Sequence, residues 1–293
     1  MLGAACGDAL GVPYEFQPRL GTDDVPAMVG GGLGPYAPGE YSDDTQMAVC
    51  VATAAVSVPD LRAEESLDQV AARFLQWKAD GASDIGVQTS QVLSATRGLK
   101  ASAALMRRRA AELHGRTGRS TGNGSLMRTA PVALAFLSDP VAMAQAARAV
   151  SDLTHHDPLA GDACVLWCAA IREAVLTGEL TLSAGLEVLP SERRDQWVQW
   201  IGEAADREPH HFTPNGFVVR ALQAAWSAVI RTPVPDQAPE RGSFAAHHLR
   251  DALVAAVKAG NDTDTVAAIA GSLLGARWGA SAVPLEWHRA VHG

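Results

Sequence analysis

The chain has 293 residues, 47% hydrophobic and 5% aromatic, with a formal net charge of −8. That acidity argues against general nucleic-acid binding, and the absence of a long uncharged apolar run leaves no stretch able to cross a membrane as a helix. An Ala-rich composition with few aromatics suits a large helical core, and a chain of this length reads as one or two domains.

The N-terminal stretch Met1 to Asp8 lacks a basic segment and a long apolar run, so it is not expected to be a signal peptide. Gly3, Gly7 and Gly11 recur every fourth position. On a helix they form one smooth face that permits close packing. Pro13 ends that helix, and Glu15 follows it in an extended loop. In isolation Glu15 reads first as a solvated loop carboxylate; its functional reading is a carboxylate held toward a site by a rigid turn.

Residues 16–40 are rich in Gly and Pro and form a loop that leads into Tyr41-Ser42-Asp43-Asp44-Thr45. The apolar run Gln46 to Val51 then starts a helix, with a hydroxyl and paired carboxylates at its mouth. Asp60 is a candidate cap for the next helix, whose stripe Leu67, Val70, Phe74 and Trp77 reads as core. Asp84 precedes a further helix from Val87 to Leu93 and by itself is a cap.

Residues 95–122 are locally basic, with Arg97, Lys100, Arg107, Arg108, Arg109, Arg116 and Arg119 against Glu112. They form either a solvated helix face or an attraction for an anionic substrate. The loop Ser120 to Pro131 follows, containing Gly122-Asn123-Gly124-Ser125. Glycines beside small polar residues ahead of a helix suit phosphate. It lacks the Gly-Lys-Ser/Thr of a P-loop, and no strand precedes it as a dinucleotide fingerprint requires.

Thr154-His155-His156-Asp157-Pro158 lies at a break before an apolar helix that holds Cys164 and Cys168 on one face. No partner stands at zinc spacing from the two histidines. Cys6, Cys50, Cys164 and Cys168 show no framework spacing, so reduced thiols and a cytoplasmic location are expected. Trp197, Trp200 and Trp226 read as helix-packing residues, Pro233 to Pro239 as a surface connection, and Ser243 to Ala259 as a helix.

That helix delivers the chain to Asn261-Asp262-Thr263-Asp264-Thr265. Val266, Ile269, Leu273 and Leu274 then follow at the spacing of one helix face. One carboxylate suffices for a cap; a second, two residues on, adds repulsion that something must neutralise. Ser42-Asp43-Asp44 repeats the pattern near the other end. If the two stretches converge, four carboxylates share one site and repel. Two divalent cations about 4 Å apart are the natural partner, and hard Mg²⁺ or Mn²⁺ suits carboxylate and hydroxyl oxygen. Motifs at both ends favour a single domain spanning 1–293.

Taken together, these motifs resemble the ADP-ribosylglycohydrolase family. The resemblance rests on Gly7-Asp8-Ala9-Leu10-Gly11 with Pro13 and Glu15, on Ser42 to Met47, and on Gly122 to Arg128 with Ala130-Pro131. Thr154-His155 and Asn261 to Thr265 complete it, in the family's order and over almost the whole chain. The short lead before Gly7 fits a chain with little N-terminal extension.

The resemblance implies an all-α, compact single-domain fold with a central cleft holding two metals, Mg²⁺ or Mn²⁺. It implies Ser42, Asp43, Asp44, Asp262, Asp264 and Thr265 as ligands. Ser42 stands where many relatives have Thr, with the hydroxyl kept. Gly122, Asn123, Gly124, Ser125, Met127 and His155 match the segments that contact ADP-ribose. Glu15, Asp43 and Asp84 match candidate acid–base groups.

The expected reaction is removal of ADP-ribose from a modified acceptor, with an arginine N-glycosidic linkage favoured. The two metals would hold the ribose 2′- and 3′-hydroxyls, and a metal-oriented water would attack C1″. An oxocarbenium-like state would be favoured by the surrounding carboxylates. The rivals are a hydrolase of a free compound such as O-acetyl-ADP-ribose, a non-catalytic ADP-ribose binder, and a general two-metal phosphoesterase.

Overall fold

The computed structural model describes residues 1–58, 60–96, 102–118 and 120–293. Among these residues the regular structure is helical, and β-pairing is limited to isolated bridges such as Gly31 with Tyr36. In chain order the α-helices are α1 (Leu2–Gly11), α2 (Asp43–Ser57), α3 (Glu64–Ala79), α4 (Val87–Thr96) and α5 (Ala103–Thr117). Then come α6 (Ala130–Ala135), α7 (Pro140–Asp152), α8 (Pro158–Thr177), α9 (Ser183–Glu187) and α10 (Ser191–Asp206). The last are α11 (Val218–Arg231), α12 (His248–Val257), α13 (Thr263–Trp278) and α14 (Leu285–Ala290).

The centre is the pair α1 and α13. From Gly3 to Gly11 α1 is buried on every side, and so is α13 from Thr263 to Leu274. The expected glycine stripe makes this pairing: a Cβ on Gly3, Gly7 or Gly11 would collide with the α13 backbone at Gly271, Ala267 and Asp264 respectively. The order of those partners shows that the helices run antiparallel. The Glu15 end of α1 therefore meets the Asp262–Asp264 end of α13. Helices α2, α8, α11 and α12 pack around α13, and α3, α5 and α6 extend the bundle beyond α2.

Local signals set most helix ends. Asp139 and Asp157 cap α7 and α8, accepting from the amides of Val141 and Ala142 and of Leu159, each with Pro at the first helical position. Gly118 and Gly178 close α5 and α8 in the left-handed region. Three local expectations are corrected. Asp60 does not cap α3, which starts after Ala63; its carboxylate binds the Arg62 backbone and guanidinium instead. Asp84 does not cap α4, which starts after Gly86; its carboxylate lies within 4.8 Å of those of Glu15 and Asp264. The helix expected over 243–259 is a 3-10 turn, Ala245–His247, followed by the shorter α12.

Candidate active site

A cavity of about 460 Å³ opens where α1 and α13 meet the first turns of α2 and α4. That size is in the range of small-molecule sites. One side is acidic, lined by Glu15, Asp43, Asp84, Asp262, Asp264 and Thr265. A further wall is formed by Gly122, Asn123, Gly124, Met127 and His155.

The carboxylates at the two helix starts are not caps. Neither the Ser42 side chain at α2 nor the Asp262 side chain at α13 accepts a capping hydrogen bond. They face one another instead. Ser42 Oγ stands 2.8 Å from Asp8 Oδ1, 3.2 Å from Asp44 Oδ2 and 3.3 Å from Asp264 Oδ2. One hydroxyl proton therefore serves three carboxylates. Thr265 Oγ1 lies 3.4 Å from Asp44 Oδ2. Ligand atoms of Asp8, Asp44 and Asp264 all fall within 4.8 Å of one another, and so do those of Glu15, Asp84 and Asp264. Asp264 belongs to both groups.

Burial sets the electrostatics. It holds Asp43, Asp44 and Asp264 well above the usual carboxylate range, and the neighbouring carboxylates add to the shift. Burial, then the charges of Asp262, Asp84 and Asp43, push Glu15 up to about 9. Asp8, Asp84 and Asp262 are raised too, again chiefly by burial. No lysine or arginine lines the cavity among the described residues.

The donor set fits divalent cations. It is all oxygen, the two triads share an apex, and Asp44 Oδ1 is buried with no hydrogen-bond partner. His155 and His156 take no part in these groups, and His156 is exposed.

Four residues without an assigned role hold the site in shape. Asp8 Oδ1 accepts from the Ser42 amide at 2.8 Å, and Asp8 Oδ2 accepts from the Thr45 amide at 2.9 Å. It thus caps α2 from within α1. A carboxylate in an otherwise small and apolar helix was the available signal. Asn215 Oδ1 accepts from the Asp262 amide at 3.0 Å, and its Nδ2 donates to Gly260 O at 2.9 Å. Gln88 Nε2 donates to Ser120 O and to Thr154 O, tying α4 to the further wall. Arg128 lies behind that wall, fully buried. The long-range partners of these side chains have no sequence signature.

Asn123 joins the two walls by donating to Asp262 Oδ2 at 2.8 Å and to Asn215 O at 3.0 Å. Its own amide donates to Gly216 O. Ser125 turns away from the cavity, toward Ser151 Oγ at 3.0 Å and Cys164 Sγ at 3.6 Å. The four cysteines are free. The basic residues of the α5 region stay outside the site: Arg107 pairs with Glu64, and Arg108 and Arg109 with Glu112. Arg97, Lys100 and Arg119 lie outside the described residues.

Fold and site define an all-helical protein whose central cleft carries a carboxylate cluster able to hold metal ions. The sequence profile of the ADP-ribosylglycohydrolase family matches residues 1–293. The ADP-ribosylarginine hydrolase Tri1 of Pseudomonas putida (strain GB-1) is 31% identical over 291 residues, covering 98% of this chain and 71% of the relative. The ADP-ribosyl-dinitrogen reductase glycohydrolase of Rhodospirillum rubrum is 26% identical, covering 98% and 86%. The ADP-ribosylhydrolase ARH3 of Homo sapiens is 28% identical, covering 100% and 88%. A solved structure described as an ADP-ribosylglycohydrolase-related protein complex superposes with a TM-score of 0.69 at 27% identity, covering 99% of this chain and 90% of the other. The chain belongs to the ADP-ribosylglycohydrolase family and is an ADP-ribosyl hydrolase. No helix among the described residues is long and apolar enough to cross a membrane.

Proposed function

We propose that the protein is a divalent-cation-dependent hydrolase that releases ADP-ribose from a modified acceptor, with an arginine N-glycosidic linkage preferred. The observation that carries this reading is the pair of carboxylate triads sharing Asp264 on one side of the cleft. The proposed ligands are Asp44 and Asp264 of those triads, with Ser42 beside them and Asp43, Asp262 and Thr265 on the same cavity lining, although Asp43 and Asp262 belong to neither triad. Two cations, Mg²⁺ or Mn²⁺, held by these residues would supply Lewis-acid chemistry and lower the pKa of a water.

The chain's own residues do the rest. Gly122, Gly124, Met127 and His155 form the wall against which the nucleotide rests, and Asn123 keeps that wall fixed to Asp262. Glu15 and Asp84 stand together in the cavity, with carboxylate oxygens within 4.8 Å of each other. Burial raises both carboxylates, Glu15 up to about 9, so Glu15 is an acid–base candidate that holds a proton near neutral pH. The relative named an ADP-ribosylarginine hydrolase supports the arginine preference. The carboxylates around the ribose favour the positive charge that develops at C1″. We take residues 1–293 to act as one domain, since the proposed ligands come from both ends of the sequence. The four free thiols fit a reducing, cytoplasmic setting.

The test is ADP-ribose release from arginine-, serine- and acetyl-linked substrates, each with Mg²⁺, with Mn²⁺ and with chelator. Cation-dependent release, fastest from the arginine adduct, is expected. Release of AMP or phosphate instead would replace this reading with a phosphoesterase. Binding of ADP-ribose with no turnover of any substrate would replace it with a binder.

A further inference from the structure

Arg128 is fully buried, yet no carboxylate lies within ion-pair distance of it among the described residues. Its guanidinium lies over the Phe74 ring, 4.7 Å from the centroid, with Met47 Sδ 3.9 Å from Nη1. Nη2 donates to Val150 O at 3.3 Å and to Thr154 Oγ1 at 2.7 Å, while Nε has no partner. A buried cation without a counter-ion is costly, so packing alone does not account for it.

Thr154 Oγ1 lies 2.7 Å from His155 Nδ1. An arginine can only donate, so Thr154 Oγ1 accepts from Arg128. The hydroxyl proton of Thr154 must then find its own acceptor. Among the described residues the one within reach is His155 Nδ1. Were Nδ1 itself protonated, that hydroxyl proton would be buried without a partner. His155 is therefore an Nε2–H tautomer. Burial and then the Arg128 charge hold it neutral, well below the usual histidine range. Among the described residues Nε2 has no hydrogen-bond partner, and its edge lies against Gly122 and Gly124 on the cavity wall, where side chains would crowd it.

We propose that Arg128 and Thr154 are positioning residues that fix His155 as an Nε2–H donor aimed at an acceptor oxygen of the ligand in the cleft. This rests on the reading that the cleft takes ADP-ribose. The direction of the relay is dictated by Arg128, an obligate donor, and does not depend on which oxygen His155 meets.

The experiment is ¹⁵N NMR of the histidine rings in the full chain with Mg²⁺ and ADP-ribose, the His155 signals being assigned by their loss in His155→Phe. ADP-ribose affinity is measured in parallel. The wild type should show a protonated Nε2 and a bare Nδ1. Thr154→Val should give mixed tautomers and roughly tenfold weaker binding, the worth of about one hydrogen bond; Thr154→Ser should restore both. Arg128→Lys, which risks misfolding, is not needed for the decision. A wild-type ring protonated on Nδ1, or a Thr154→Val protein that keeps both tautomer and affinity, overturns the relay. His155→Phe binding ADP-ribose as the wild type does would overturn the placement of the nucleotide instead, and the wild-type spectrum would still judge the relay.

Discussion

Asp8 shows how much of the site depends on a side chain with no exposed surface. It accepts from two amides and one hydroxyl of the α2 entrance, so its negative charge stabilises that helix start from outside the helix. In Asp8→Asn an amide NH₂ would face either the Ser42 or the Thr45 amide, donor against donor. A loss of about 1–3 kcal/mol in urea unfolding is expected, with activity reduced further because Ser42 and Asp44 are released. A variant as stable and active as the parent would remove this role. Asp264→Asn tests the opposite case. Its carboxylate is raised by burial and by Asp44, Glu15 and Asp262, so removing the charge relieves repulsion in the cation-free protein. Cation-dependent activity should fall at least a hundredfold while the chelator-treated protein melts no lower than the parent. Retained activity would dismiss the proposed metal role.

At the level of elements, the contact of α1 with α13 is made by absence of side chains. Ala is favoured over Gly inside a helix by about 1 kcal/mol. At Gly7 that gain is outweighed, because the added methyl would meet the Ala267 carbonyl and both helices are held on all sides. Gly7→Ala should be net destabilising by about 1–3 kcal/mol, and turnover should drop as Glu15 moves relative to Asp264. Gly115→Ala on α5 is the contrasting case: nothing lies within 4 Å of its added Cβ, so a gain of about 0.5–1 kcal/mol is expected. Chemical denaturation of both variants decides the point; equal effects would mean the close approach carries no energy. The same reasoning explains why Gly3, Gly7 and Gly11 were legible in sequence as a packing face while their partner was not. The i, i+4 spacing is local, whereas the choice of α13 follows from how the whole bundle closes.

Across the whole molecule the carboxylate cluster should couple stability to pH and to cations. Groups raised in the folded state bind more protons there than in the unfolded chain, so stability falls as pH rises between the two values. For Glu15 that window runs from its ordinary 4.5 to about 9, and Asp43, Asp44 and Asp264 shift in the same direction. With chelator, the melting temperature should decline from pH 5 to pH 9. With Mg²⁺ or Mn²⁺ in excess the decline should shrink, because cations bind the deprotonated form, so the stabilisation by metal should grow with pH. A chelator-treated protein whose melting temperature is flat or rising over that range would contradict the cluster's electrostatics. The helical class, the smooth face of α1, the two acidic helix starts and the glycine loop were all written in local spacing, since periodicity and residue chemistry act over a few positions. The convergence of both ends was an expectation that the fold met. What only the tertiary structure decided are the relations between distant side chains: Asp8 capping α2, Asn215 bracing Asp262, Asp84 turned from a cap toward Glu15, and Arg128 oriented through Thr154 to His155. Hydrogen bonds of that kind depend on where helices cross, and no single stretch of sequence carries that information.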